Sequence, residues 1–356
     1  MTSAVEGTSG RASRGRIVSF DVIRLIAISC VVLCHSVETV YKASNLSLGY
    51  GLAHYLGRLG VPLFLFLTGA LIINKEFDSD SIKRFFSHNW FGLVITSEVW
   101  ILVYWVYGSL HRDAFDFGLL VRYATFQEKL PHGFWWYVPT ILSIYVVLPF
   151  IARAVKGCKT RDLLVPLAFC LTFSFALPTA NQILKCLGGN IEPIKTTLKP
   201  FYAGGEYVTY IILGYLVLRR QCLRELRPCV LACGLLGFSV TGILAARSEV
   251  DIWYNSLWLL GTSVCGVELV RRLFDRLEVK ELPSVLTLVS KGAFGIYMVH
   301  MLVMKVVKMI PLGLDSALPR TMSIWVMTLL ASAAFVVAIQ LLLRNHPRAK
   351  RVLLDC

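Results

Sequence analysis

Ten stretches of mostly apolar residues follow one another along this chain, at roughly 19–40, 55–73, 85–107, 134–152, 163–178, 201–218, 229–246, 253–270, 288–310 and 321–343. Each is close to the ~20 residues that an α-helix needs to cross the hydrocarbon core of a bilayer. Inside hydrocarbon every backbone amide must be satisfied by the chain itself, and runs of this length do so as helices. The sequence therefore predicts an all-α integral membrane protein with about ten transmembrane helices. A charged fraction of 16%, against ~25% in ordinary soluble domains, agrees.

The formal charge of +14 raises nucleic acid as a partner, but the distribution of the cations argues for topology instead. With the N-terminus inside, the segments on that side carry 22 Lys and Arg and those on the other side carry 12. This asymmetry predicts that both termini are cytoplasmic. The joining segments are short, so residues 17–345 read as one transmembrane domain. Residues 1–16, rich in Ser, Gly and Thr, read as a disordered cytoplasmic tail, and residues 346–356 as a second short tail. The apolar stretch after the first tail is too long, and too interrupted by charge, for a cleaved signal segment, which predicts an uncleaved helix. The ten cysteines lack zinc-type spacing with histidine, so no metal is expected.

The first run, SFDVIRLIAISCVVLCHSVETVY, contains Asp21, Arg24 and His35. Ionisable groups are costly in hydrocarbon and mark functional sites by default. Arg24 and His35 are eleven residues apart, three helical turns plus about 20°, so both lie on one face and about 16 Å apart along the axis. Asp21 precedes Arg24 by three residues and Glu38 follows His35 by three, the spacing at which helical side chains meet. Two dyads on one stripe result. His35 suits a general base oriented by Glu38, because imidazole titrates near neutrality, and Arg24 suits an anionic or carbonyl group. The competing reading is an interfacial salt bridge with a histidine and glutamate at the water boundary. Further polar candidates are Glu98 in the third run and the pair Tyr297 and His300, one turn apart in the ninth; a packed aromatic with a bonded histidine explains that pair equally.

These residues fall into an ordered set of motifs: Phe20-Asp21-x-x-Arg24 with His35 eleven residues on; Gly60-Val61-Pro62-Leu63-Phe64-x-x-x-Thr68-Gly69; Trp136-Tyr137 followed by Tyr145 and Pro149; and Ser290-x-x-x-x-Gly295-Ile296-Tyr297-x-x-His300. In these the chain resembles the membrane-bound acyltransferase-3 family over nearly its whole length, with its nearest likeness to the branch that acetylates enterobacterial common antigen. Two positions depart from the family pattern. Phe134 stands where a histidine is common, and the adjacent Lys83-Arg84 replaces an Arg-x-x-Arg pair. The resemblance implies a bacterial inner-membrane O-acetyltransferase that moves an acetyl group from cytoplasmic acetyl-CoA, as co-substrate, to a hydroxyl of an extracytoplasmic or lipid-linked glycan. It implies a catalytic set of His35, Arg24 and Glu38, and coenzyme contacts from Lys83, Arg84, Arg24 and Tyr297. Asp21, Trp136, Tyr145 and His300 then serve as substrate or structural polar groups; Glu98, which the resemblance does not carry over, joins them as an intramembrane carboxylate, either a partner for a basic residue or a proton-path element. The aromatic and polar residues of 108–133 and 179–207 suit the acceptor side.

The rival class is a secondary transporter of a sugar-linked or small anionic metabolite. Transporters commonly carry internal repeats, and the charge pattern of the first run has no counterpart around residues 160–220.

Overall fold

The computed structural model describes residues 16–41, 47–112, 114–131, 133–187, 192–198, 205–248, 252–311 and 313–354. The expected tail over residues 1–15, His132 and the segment 199–204 lie outside them. The described residues form helices and no strands: α1 (Val18–Val40), α2 (Leu48–Ile73), α3 (Ser79–Arg112), α4 (Phe117–Ala124), α5 (Tyr137–Gly157) and α6 (Thr160–Leu187). They continue as α7 (Gly205–Leu218), α8 (Pro228–Ala246), α9 (Leu257–Leu277), α10 (Ser284–Lys291), α11 (Ala293–Val307), α12 (Ala317–Leu342) and α13 (Pro347–Leu354). The protein is an all-α integral membrane protein.

Seven helices are long and apolar enough to cross a membrane, or eight when α10 and α11, bent by 78° around Gly292, count as one broken span. The expectation of ten spans included two further runs. One is α7, apolar but only 14 residues long. The other is α9, where Glu268, Arg271, Arg272 and Asp275 lower the apolar character. α9 is nonetheless packed inside the bundle, because its charges pair with each other at the i,i+3 and i,i+4 spacings.

α1 lies at the centre, against α2, α9, α10, α11 and α12. Cross-links between helices sort into two ends of the bundle. At one end Arg219 donates to the Ala70 carbonyl at 2.8 Å, Arg220 to that of Cys158 at 2.7 Å, and Arg272 to that of Leu226 at 2.7 Å. Arg16 and Lys156 join them there. This basic end gathers the first turn of α1, the α2–α3 and α5–α6 links and the α7–α8 link. At the other end, rich in aromatic rings, Tyr210 donates to the Tyr254 carbonyl at 2.9 Å and the Leu257 amide to the Thr179 hydroxyl at 2.8 Å.

The second motif is a packing device. A Cβ on Gly69 would fall 1.8 Å from the Ile211 carbonyl oxygen, and one on Gly214 would fall 2.2 Å from that of Phe66. α2 and α7 thus cross backbone to backbone, as small residues permit in membrane helices. Gly214→Val is expected to force the pair apart and lower stability by about 1–3 kcal/mol or more. Gly157→Ala, whose Cβ would meet nothing within 4 Å, serves as the neutral comparison. Thermal unfolding of the detergent-solubilised protein distinguishes them, and equal melting of the two variants would refute the crossing.

The C-terminal segment is a docked helix. α13 packs on α3, where Trp100 donates its indole N–H to the Leu353 carbonyl at 2.9 Å and Thr96 its hydroxyl to that of Arg351 at 3.2 Å. Leu354 is fully buried.

Candidate active site

The stripe expected on α1 forms with both dyads made. At the basic end Asp21, 3% exposed, accepts from Arg24 Nη1 at 2.8 Å, from Arg16 Nη2 at 2.9 Å and from the Ser290 hydroxyl at 2.9 Å. Arg24 also reaches Ser290 Oγ at 3.2 Å. Ser290 arrives because the bend at Gly292 turns the end of α10 against the first turns of α1. Arg219 stacks on the Phe20 ring, 4.8 Å from its centroid. The opening residues of the first and last motifs therefore meet in space.

Three turns along, His35 Nδ1 lies 2.7 Å from Glu38 Oε2. A carboxylate can only accept, so Nδ1 carries the proton and the neutral ring keeps a lone pair on Nε2. No described residue bonds that Nε2. His300 stands beside it, with ring centroids 5.3 Å apart. Its Nδ1–H donates to the Tyr297 carbonyl at 2.6 Å, and its Nε2 is buried without a hydrogen-bond partner. Two imidazoles thus each hold one nitrogen fixed and one open. Such an unpartnered buried acceptor calls for an explanation, and a bound reactant that supplies a proton is one.

A cavity of about 120 Å³ surrounds His35, Glu38, Arg58, Trp136, Tyr254 and Tyr297. Arg58 comes from the middle of α2. It lies 3.9 Å from Glu38 Oε1, within electrostatic reach of Tyr254, and over the Trp253 ring at 4.8 Å. Trp136 is in ring contact with Tyr207, Trp253 and Tyr254. Phe134, 1% exposed, packs its ring against His35, His300 and Tyr297. A histidine at that position would add a third imidazole. Phenylalanine closes the cavity with an apolar wall instead.

The candidate residues divide between the two ends. His35, Glu38, Trp136 and Tyr297 line one cavity, with His300 behind it. Arg24 and Asp21 do not reach it. Lys83 and Arg84 are exposed in the first turns of α3, and the next residue, Phe85, meets the Tyr145 ring at a tilt with centroids 5.6 Å apart. Tyr145 is within electrostatic reach of both Arg24 and Tyr137, and Tyr137 contacts the Tyr297 ring at 5.7 Å. Tyr145 and Tyr137 thus form a line of phenols from the basic end to the cavity. The Tyr297 hydroxyl, expected at the coenzyme, donates to the Phe134 carbonyl. Glu98 is half-buried on α3, lines none of these surfaces, and has no described partner.

Arg219 and Arg220, cations of the basic end, hold backbone carbonyls and a tyrosine ring, so their role is structural. Arg58, Trp253 and Tyr254 were not singled out in the sequence. Arg58 could have been, since it is a cation inside the second apolar run.

A family model described as an acyltransferase domain matches residues 17–343. Among curated proteins and among solved structures no match was found.

Proposed function

The chain belongs to the membrane acyltransferase-3 family, and on that premise we propose that it moves an acetyl group from cytoplasmic acetyl-CoA to a hydroxyl of a glycan on the far side of the membrane. The observation that carries this reading is the pairing of the two dyads of α1. One end offers an arginine among exposed cations, and the other offers an oriented imidazole in a small cavity. An anionic nucleotide donor suits the first, because Lys and Arg bind phosphate by charge-assisted hydrogen bonds. The second is too small for a whole ligand, since such sites usually span ~300–1,000 Å³, but it suits an acyl group and the hydroxyl that attacks it.

In this reading Lys83 and Arg84 meet the coenzyme phosphates at the cytoplasmic mouth. Arg24, held by Asp21 and Ser290, meets the donor deeper in, and the thioester end reaches His35 along Tyr145 and Tyr137. His35 Nε2 takes the proton of the acceptor hydroxyl as its oxygen attacks the thioester carbonyl. The C–S bond breaks, the departing thiolate takes that proton, and an ester remains on the acceptor. Arg58 supplies the cationic field beside the cavity for the oxyanion, a part that Arg24 is too distant to play. Trp136, Trp253, Tyr254 and Tyr207 give aromatic walls for a sugar ring.

The test is coenzyme A release from acetyl-CoA by the purified protein in proteoliposomes, with and without an oligosaccharide bearing free hydroxyls. Release that rises with the acceptor and yields an acetyl ester by mass spectrometry is the expected result. Accumulation of the saccharide inside the vesicles without any coenzyme release would instead make the protein a transporter.

A further inference from the structure

A second, larger cavity opens at the aromatic end, between the last turns of α3 and α11, with a volume of about 450 Å³. That lies within the ~300–1,000 Å³ of small-molecule sites. Its aromatic walls are Tyr104, Trp105 and Tyr123, and its cations are Arg112, Lys305 and Lys308. No aspartate or glutamate is among its described lining residues. Two nearby carboxylates are engaged by other groups: Glu128 Oε2 is 2.9 Å from Arg122 Nε, and Asp116 caps α4 by accepting from the Leu119 amide at 2.9 Å; Asp315 lines an adjoining cavity with Lys308. Lys305 instead sits over the Tyr107 ring, 4.3 Å from its centroid. Among the described residues neither Lys305 nor Lys308 has an ion-pair partner. Three cations around an aromatic cavity, with no carboxylate among its described lining residues, fit an anionic ligand.

The cavity is one ring away from His35. Tyr104 donates its hydroxyl to the Met298 carbonyl at 2.7 Å, and its ring lies 5.5 Å from that of Phe134. Phe134 in turn walls the His35 cavity. The intervening chain contributes Leu130 and Pro131 to the outer cavity and Gly133 and Phe134 to the inner one.

Resting on the glycan acceptor of the proposed function, we infer that this cavity binds an acidic sugar residue of the acceptor. The sugar's apolar face lies on the aromatic walls, and its carboxylate or phosphate meets Lys305, Lys308 and Arg112. A neighbouring unit of the same chain then presents its hydroxyl to His35. The protein would thus select acidic over neutral glycans.

The experiment measures binding of cellobiouronic acid and of cellobiose by calorimetry to the full-length protein in phosphatidylcholine nanodiscs, without acetyl-CoA. The acidic disaccharide is expected to bind about tenfold or more tightly than the neutral one, with the preference shrinking at high salt. Lys305→Gln with Lys308→Gln should abolish the preference while leaving the melting temperature unchanged. Equal binding of the two disaccharides, or a preference that survives the double substitution, would overturn the assignment. A second set of nanodiscs containing phosphatidylglycerol distinguishes a lipid headgroup as the anion: protection of Lys305 and Lys308 by that lipid, with no binding of the acidic sugar in either set, would also overturn it. The readout needs no turnover, so failure here and failure of acyl transfer are separate results.

Discussion

Replacing His35 with alanine lowers acyl transfer by about 10²–10⁴-fold, the usual contribution of a positioned general base. The amount of folded protein in the membrane should stay near wild type, because the side chain borders a cavity. The argument rests on the tautomer: the 2.7 Å bond to Glu38 holds the proton on Nδ1 and leaves Nε2 as the accepting atom. Glu38→Gln keeps the shape but loses the charged acceptor. Bonds to charged groups contribute ~1.5–3 kcal/mol, so a loss of about 10- to 150-fold is expected, smaller than for His35. Initial rates of coenzyme A release at saturating acetyl-CoA measure both. Turnover by His35→Ala at the wild-type rate would remove the imidazole from the mechanism.

The first helix was legible because local geometry governs it. Asp21 and Arg24, and His35 and Glu38, are each three residues apart, and both pairs meet at hydrogen-bond distance. The all-helical membrane fold was legible for a similar reason, since apolar run length alone excludes other solutions. What surrounds the stripe was not. Arg58 and Trp253 reach Glu38 and the cavity from helix and loop positions far apart in the chain, and no periodicity within either segment encodes that meeting. The sequence separated Arg24 from His35 along the axis but did not name the residues that surround each. Alignment on one helical face fixes direction, but the 16 Å of rise between them decides which neighbours each one meets. The arginines after α7 illustrate the remaining ambiguity. Their charge alone is compatible with a phosphate ligand or with topology, yet they hold the carbonyls at the ends of neighbouring helices.

The count of membrane spans was obscured by α9, and its charges give the largest expected effect on stability. Glu268 is fully buried and accepts from Arg271 at 2.7 and 2.9 Å and from Arg272 at 2.6 Å. Arg271, 7% exposed, also bonds Asp275 at 2.7 Å. Arg272 passes on to the carbonyls of Leu226 and Arg224 in the α7–α8 link. Glu268→Ala leaves two guanidinium groups facing a low-dielectric interior without their shared carboxylate. Breaking a buried pair from one side in this way costs about 3–5 kcal/mol, a large part of the stability of a typical domain. Removing Glu268 and Arg271 together, as Glu268→Leu with Arg271→Met, should be less harmful than the single change, because no uncompensated charge then remains at Arg271 and apolar atoms fill the space. Thermal unfolding in detergent gives the order wild type, double variant, single variant. A single variant as stable as wild type would show that water already reaches Glu268, and α9 would then have to be read as lying at the bundle surface.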